Sequence, residues 1–263
     1  MIERAYRSVK LAPVDERGAL GVALSNPARK NAIGPRMVSE LLYVLEDAAA
    51  DDAVRTIVLT GEGSAFCAGG DFAQMSGGVE GDELPPKGDY VDLMLAMDRS
   101  PKPIVARVNG HAMGGGLGLV AGSHFAIGVR DAKLGTPEID VGLFPMMIMA
   151  VLRRHVSRRR LVQMMLFGER LDASEAASVG LLNRVVDQGD LDAAVAEVTQ
   201  RVAEKSPITV RLGLEALTSQ DDLALEEALP LLRDQLAACL ATDDAREGLM
   251  AFLEKRKPRW TGR

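Results

Sequence analysis

Two glycine-rich segments, each directly behind a run with strand character, restrict what this chain can fold into more than any other feature. The first is Val58-Leu59-Thr60-Gly61-Glu62-Gly63-Ser64-Ala65-Phe66-Cys67-Ala68-Gly69-Gly70-Asp71, the second Val108-Asn109-Gly110-His111-Ala112-Met113-Gly114-Gly115-Gly116-Leu117-Gly118. Glycine admits positive φ and lets another group come close to the backbone. A helix that starts in such a segment leaves its first N–H groups without intrahelical partners. Two turns of this kind can aim two backbone N–H groups at one oxygen, which is the arrangement of an oxyanion hole.

The surrounding pattern alternates. Residues 6–11 and 19–24 read as strands, with Asp15-Glu16-Arg17-Gly18 as the turn between them. Within residues 35–50, Met37, Leu41, Val44, Leu45 and Ala48 recur at helical spacing. Residues 56–60, 104–108 and 124–129 read as buried strands, the first two leading into the glycine segments. Strand, glycine turn, helix and strand in repetition predict an α/β fold with helices outside a sheet. Residues 74–90, with Gly77, Gly78, Gly81, Pro85, Pro86 and Gly88, predict a mobile surface loop. Beyond residue 190 only amphipathic helices are predicted, at 191–204, 207–218, 223–240 and 245–257. The expected division is therefore an α/β core over 1–190 and a helical region over 191–263 that packs back on the core or covers a neighbouring subunit.

Composition narrows the function classes. The 263 residues, 47% hydrophobic and 26% charged, can bury a sizeable core and do not describe a disordered chain. A net charge of −6 argues against a nucleic-acid partner. Cys67 and Cys239 are too few for a disulfide framework and fit a reducing cytosol. Residues 141–152 form the longest apolar run, but Gly142 and Pro145 interrupt it and it is too short for a bilayer. The N-terminal residues lack the apolar stretch of a secretory signal. A soluble, cytoplasmic protein without membrane or nucleic-acid contacts is expected. His111, His124 and His155 have no metal-ligand spacing with a cysteine or carboxylate. P-loop and Gly-x-Ser-x-Gly patterns are absent from the sequence. Gly116-Leu117-Gly118-Leu119-Val120-Ala121 fits a dinucleotide fingerprint with Glu138 downstream. It lies mid-chain behind two further glycines, however, and its acid is in the turn signal Thr136-Pro137-Glu138, so nicotinamide binding is set aside.

Four segments taken together carry a resemblance. Asn26-Pro27-Ala28-Arg29-Lys30-Asn31-Ala32, Ala65-Phe66-Cys67-Ala68-Gly69-Gly70-Asp71, Asn109-Gly110-His111-Ala112-Met113-Gly114-Gly115-Gly116 and Pro137-Glu138-Ile139 occur in order. From about Gly18 to the C-terminus the chain resembles the crotonase superfamily of enoyl-CoA hydratases and isomerases. The resemblance implies a spiral of repeated ββα units with a C-terminal helical region for trimerisation and cover of the active site. It also implies homotrimers or dimers of trimers and acyl-CoA thioester substrates, with no metal and no cofactor other than the coenzyme A that the substrate carries. By the same resemblance the Gly70 and Gly115 N–H groups hold the thioester oxygen. Removing a proton beside a thioester carbonyl, or adding a nucleophile at its β carbon, puts negative charge there. Glu138 matches the carboxylate that transfers the proton, and partial burial would tune its pKa. Ala28, Lys30, Ala68, Asp71 and Phe72 match the side of the site that binds substrate and coenzyme A, with the Ala68 carbonyl on the adenine amino group and Asp71 stabilising the turn. Phe252 and Lys255 match C-terminal residues that reach the nucleotide, often from a neighbouring subunit. A lysine there suits a phosphate and equally suits a helix end.

One position departs from the hydratase pattern. The resemblance implies a second Glu at residue 118, where this chain has glycine. Hydration of 2-enoyl-CoA is the family default, whereas a single carboxylate is enough to move a proton between C2 and C4 in 3-enoyl to 2-enoyl isomerisation. Decarboxylation and thioester hydrolysis remain further alternatives. A non-catalytic RNA-binding member fits poorly with the acidic balance and with Glu138. His111 is expected to fill space beside the glycines, and Arg153, Arg154, Arg158, Arg159 and Arg160 to lie on a surface helix. Acyl selectivity is expected from residues 74–97 and 144–149, although core packing is the expected role of most of the methionine-rich 144–149 run.

Overall fold

The chain enters with β1 (Val9–Leu11) and β2 (Ala19–Leu24), an antiparallel pair. The Gly18 N–H donates to the Asp15 carbonyl in the turn between them. The computed structural model describes residues 4–71 and 84–263. After β2 comes α1 (Pro35–Ala50), with the bounds its apolar spacing predicts. Three strand pairs then follow, each shared between two sheets: β3 (Thr56–Gly61) with β4 (Ala65–Cys67), β5 (Ile104–Val108) with β6 (His111–Met113), and β7 (Phe125–Val129) with β8 (Lys133–Gly135). β9 (Arg170–Asp172) and β10 (Arg184–Val186) complete the strands among the described residues. The larger sheet has the order β1-β2-β3-β5-β7-β10 and is parallel from β2 onward. The smaller has the order β4-β6-β8-β9, with β4, β6 and β8 parallel and β9 antiparallel. Each pair adds one strand to both sheets, so the chain advances as a spiral.

The ββα units that the resemblance implies are present: the glycine turns after β3 and β5 lead into a short second strand before any helix, a strand that the periodicity reading alone passed over. Two asparagines tie these turns together. The Asn31 Nδ2 donates to the carbonyls of Glu62 and Ala65. The Asn109 Oδ1 accepts from the Gly61 N–H while its Nδ2 donates to the Gly63 carbonyl.

Helices cover the larger sheet. Leu41 and Val44 of α1 and Leu93 and Met97 of α2 (Tyr90–Asp98) meet Val22, Ile57, Leu59 and Ile104. Between and behind the strands run α3 (Gly115–Ala121), α4 (Met146–Leu152), α5 (Arg158–Phe167) and α6 (Ala173–Ser178). Helix α7 (Leu191–Ala203) packs across β3, β5 and β7 through buried Leu191, Ala194 and Val195. Helices α8 (Pro207–Gln220), α9 (Leu225–Leu240) and α10 (Asp243–Leu253) bury little of their own surface. Buried Asp244 ties down the tail, accepting from the Ser206 hydroxyl and the N–H groups of Thr261 and Gly262. The first predicted strand is shorter than expected, only Val9–Leu11. The expected loop over 74–90 falls largely outside the described residues, and its last residue, Tyr90, begins α2.

Candidate active site

Because β4, β6 and β8 are parallel neighbours, their C-terminal ends share one edge of the smaller sheet. Gly70, Gly115 and Glu138 follow those ends by three, two and three residues. Adjacent strands lie about 4.8 Å apart, so the three segments are held within a few ångströms of each other. Hypothetical Cβ atoms measure the contact. One on Gly114 would stand 2.6 Å from the Glu138 Oε1 and 3.7 Å from the Gly69 Cα. Gly69 and Gly114 also have φ of +103° and +50°, conformations open to glycine.

Backbone pairing orients the two amides. The Ile33 N–H donates to the Gly69 carbonyl at 2.7 Å, and the Asp71 N–H donates to the Ile33 carbonyl at 2.8 Å. This parallel bridge uses the peptide groups on either side of Gly70, so the Gly70 N–H points away from Ile33. Gly115 is the first residue of α3, where an N–H has no intrahelical acceptor. Glu138 is carried on the 3₁₀ turn Pro137–Val141. Its carboxyl is half-buried, and the Oε2 is sealed from solvent without a hydrogen-bond partner. Burial pushes its pKa above the usual glutamate value, because the charged form loses hydration.

Gly70, Gly115 and Glu138 line one cavity of about 440 Å³. Its remaining wall is mostly apolar, formed by Ile33, Val38 and residues 143–148. Phe144, Pro145, Met146, Met147 and Ile148 face the cavity; Ile148 also belongs to the core, Phe144 and Met149 pack against it, and Met146 and Met147 are exposed. Asp89 and Tyr90 also line it. Asp89 is exposed and caps α2, its Oδ1 accepting from the N–H groups of Val91 and Asp92. Tyr90 donates its hydroxyl proton to the Gly115 carbonyl at 2.6 Å. A Cβ on Gly118 would stand 2.2 Å from the Tyr90 Oη and 2.6 Å from the Ile148 Cγ2, so a side chain at residue 118 would displace both. Asp89 and Tyr90 lie within the 74–97 stretch expected to govern acyl selectivity, whereas Ile33, Gly34, Pro35, Val38 and Leu143 are the cavity residues that sequence reasoning missed. The pair Asp89 and Asp92, a capping box that marks a helix start, was the sequence signal for α2.

The other candidates are spread more widely. Lys30 and Ala68 are neighbours, the Ala68 N–H donating to the Lys30 carbonyl at 2.9 Å, and both are exposed, as is Ala28. Buried Asp71 accepts from the Arg29 guanidinium at 2.6 Å. Phe72 lies outside the described residues. Phe252, 79% exposed, and Lys255 stand at the end of α10 and are not part of this cavity wall within one chain. His111 does not fill space beside the glycines: it is exposed on β6, its Nδ1 accepting from the Lys133 N–H. His124 accepts from the Ile104 N–H, and His155 bonds to the Ala121 carbonyl. Arg153 and Arg154 lie at the protein surface in ion pairs with Asp222 and Asp221. Among the described residues no group of three or more His, Cys, Asp or Glu is placed to hold a metal, and no helix is long and apolar enough to cross a membrane.

Known proteins share this architecture. Residues 15–263 match the family model described as enoyl-CoA hydratase/isomerase. A probable enoyl-CoA hydratase of Bacillus subtilis is 34% identical, over 92% of this chain and 94% of that protein. The crystal structure of an enoyl-CoA hydratase from Mycobacterium smegmatis superposes with a TM-score of 0.88 at 32% identity, covering 97% of this chain and 99% of the other. Human enoyl coenzyme A hydratase domain-containing protein 3 gives a TM-score of 0.88 at 28% identity, over 97% and 100% of the two chains.

Proposed function

The chain belongs to the enoyl-CoA hydratase/isomerase family, and from that premise we propose that it converts 3-enoyl-CoA to 2-enoyl-CoA with Glu138 as its acid and base. The thioester oxygen accepts from the Gly70 and Gly115 N–H groups. The Glu138 carboxylate takes a proton from C2, the electron pair spreads into a dienolate, and the charge gathers on the oxygen facing the two amides. Glu138 then returns the proton at C4, leaving the double bond between C2 and C3 and no net change in protons. The observation that carries this is the pairing of one half-buried carboxylate, its Oε2 unpartnered, with a glycine at 118, where Tyr90 and Ile148 occupy the place of a second acid. The apolar wall suits an acyl chain. Acid, base and oxyanion donors are all protein groups, so no cofactor is needed beyond the coenzyme A of the substrate. Ala28, Lys30, Ala68 and Asp71 form the side toward the coenzyme A.

Hydration of 2-enoyl-CoA is the second reading, favoured by the names of the relatives. Purified protein given crotonyl-CoA and, separately, a 3-enoyl-CoA decides between them. Isomerisation adds conjugated absorbance without a mass change; hydration removes it and adds water. We expect the first to be faster, and a faster gain of water would put hydration first.

Acid should stop the reaction early. Burial raises the Glu138 pKa, so the base form is lost at a higher pH than for a free glutamate. The acid limb of kcat/KM should therefore have its midpoint above 4.5, the ordinary value. A midpoint at or below that figure contradicts a buried base.

The acting unit is a homotrimer or a dimer of trimers, in a reducing cytoplasm that suits the free Cys67 and Cys239. Leu225, Leu229, Leu236 and Leu240 on α9, and Leu249, Phe252 and Leu253 on α10, are exposed apolar side chains of the kind that a partner subunit covers. Phe252 and Lys255 then serve a neighbouring subunit. The mass in solution should be three or six times the 28.1 kDa chain, and a stable monomer at micromolar concentration sinks this assignment.

A further inference from the structure

Tyr90 enters the cavity from the first turn of α2, which Asp89 caps. Its hydroxyl donates to the Gly115 carbonyl at 2.6 Å. Its Cε2 and Cζ lie 3.5 and 3.6 Å from where a Cβ on Gly115 would stand. The same hydroxyl lies 2.2 Å from the place of a Cβ on Gly118. The phenol thus fills the wedge between α2 and the first turn of α3. We infer that Tyr90 is a positioning residue of the active site: it holds Gly115 by its carbonyl, so that the N–H of that residue keeps its aim at the thioester oxygen, and it occupies the space beside Gly118 that a second acid would need. This rests on the thioester reading above.

Tyr90 does not itself carry the proton. Its one hydroxyl hydrogen is committed to the Gly115 carbonyl, so none is left for a substrate. Burial, together with Cys67 and Glu138 nearby, raises its pKa and keeps it a neutral phenol. Its effect passes through Gly115. Hydrogen bonds weaken steeply as they bend, so a first turn free to shift presents its amide poorly.

The test uses the full-length protein with butyryl-CoA labelled with ¹³C at the carbonyl, a saturated thioester that cannot isomerise. Infrared difference spectra read the carbonyl stretch, which moves to lower frequency when donors polarise it. In Tyr90→Phe that shift should shrink by about half, and kcat should fall about 10-fold with KM changed less than about threefold. Gly118→Ala displaces both the hydroxyl and the Ile148 Cγ2, so it should show at least both losses. A Tyr90→Phe protein with wild-type melting temperature, carbonyl frequency and kcat overturns the inference. A wild-type protein that shifts the carbonyl while Tyr90→Phe shifts it equally removes Tyr90 alone. No shift in the wild type removes the thioester reading and this inference with it.

Discussion

Glu138→Gln lowers kcat by about 10²–10⁴, the usual contribution of a positioned acid–base group, and leaves KM for the thioester within a few-fold. Glutamine keeps the shape of the side chain and removes its basicity. The cavity, its apolar wall and the two amides stay as they are, so binding survives while proton transfer does not. Stability should move the other way. The folded state holds the Glu138 proton more tightly than the unfolded chain, because burial raises its pKa. Between the ordinary value of 4.5 and the raised one, the folded state therefore binds more protons, and stability falls as pH rises through that window. The contribution is whole below the ordinary value and is lost above the folded one. At neutral pH the native protein thus carries a poorly solvated carboxylate that glutamine relieves. Thermal melts should show Glu138→Gln melting no lower than the wild type at pH 7. An inactive variant that also melts well below the wild type would give Glu138 a structural role instead.

Gly115→Pro should cost about 10²–10³ in kcat, the penalty for deleting one oxyanion donor. This position suits the experiment because proline at the first residue of a helix breaks no intrahelical hydrogen bond. Gly114, at φ 50° and ψ −124°, is outside the α region that a following proline disfavours. A Cβ at 115 would meet Ile33 and Tyr90 at 3.4 and 3.5 Å, close to ordinary contact. Gly115→Ala is the control, since it adds the Cβ and keeps the N–H. Alanine should retain most of the rate and proline little of it. Equal losses in the two variants would make bulk, and not the missing donor, the cause.

The legibility of the fold followed strand and helix length. Thr56–Gly61 and Ile104–Val108 are long and apolar enough to be recognised, and α1 carries four turns of regular spacing. The smaller sheet went unseen because each of its strands has three residues, too few to show alternation. Periodicity alone therefore gave βα units, and the ββα repeat came from the resemblance, although the glycines that make the turns were plain. The candidate site was legible where its residues lie in local motifs, at Gly70, Gly115 and Glu138. Tyr90 comes from a segment remote in the chain and was assigned to a loop, so its contacts with Gly115 and Gly118 had no local trace.

Residue order alone was enough for the α/β class, the two glycine turns, the acid on the third turn and the absence of a second acid at 118. All of these depend on which residues stand next to each other along the chain. Packing decided the rest: that β4, β6 and β8 end side by side and bring those turns to one cavity, that the Glu138 carboxyl loses its water, and that a tyrosine fills the space beside Gly118. Pairing between strands and exclusion of solvent act between segments dozens of residues apart, and no window of sequence contains both partners.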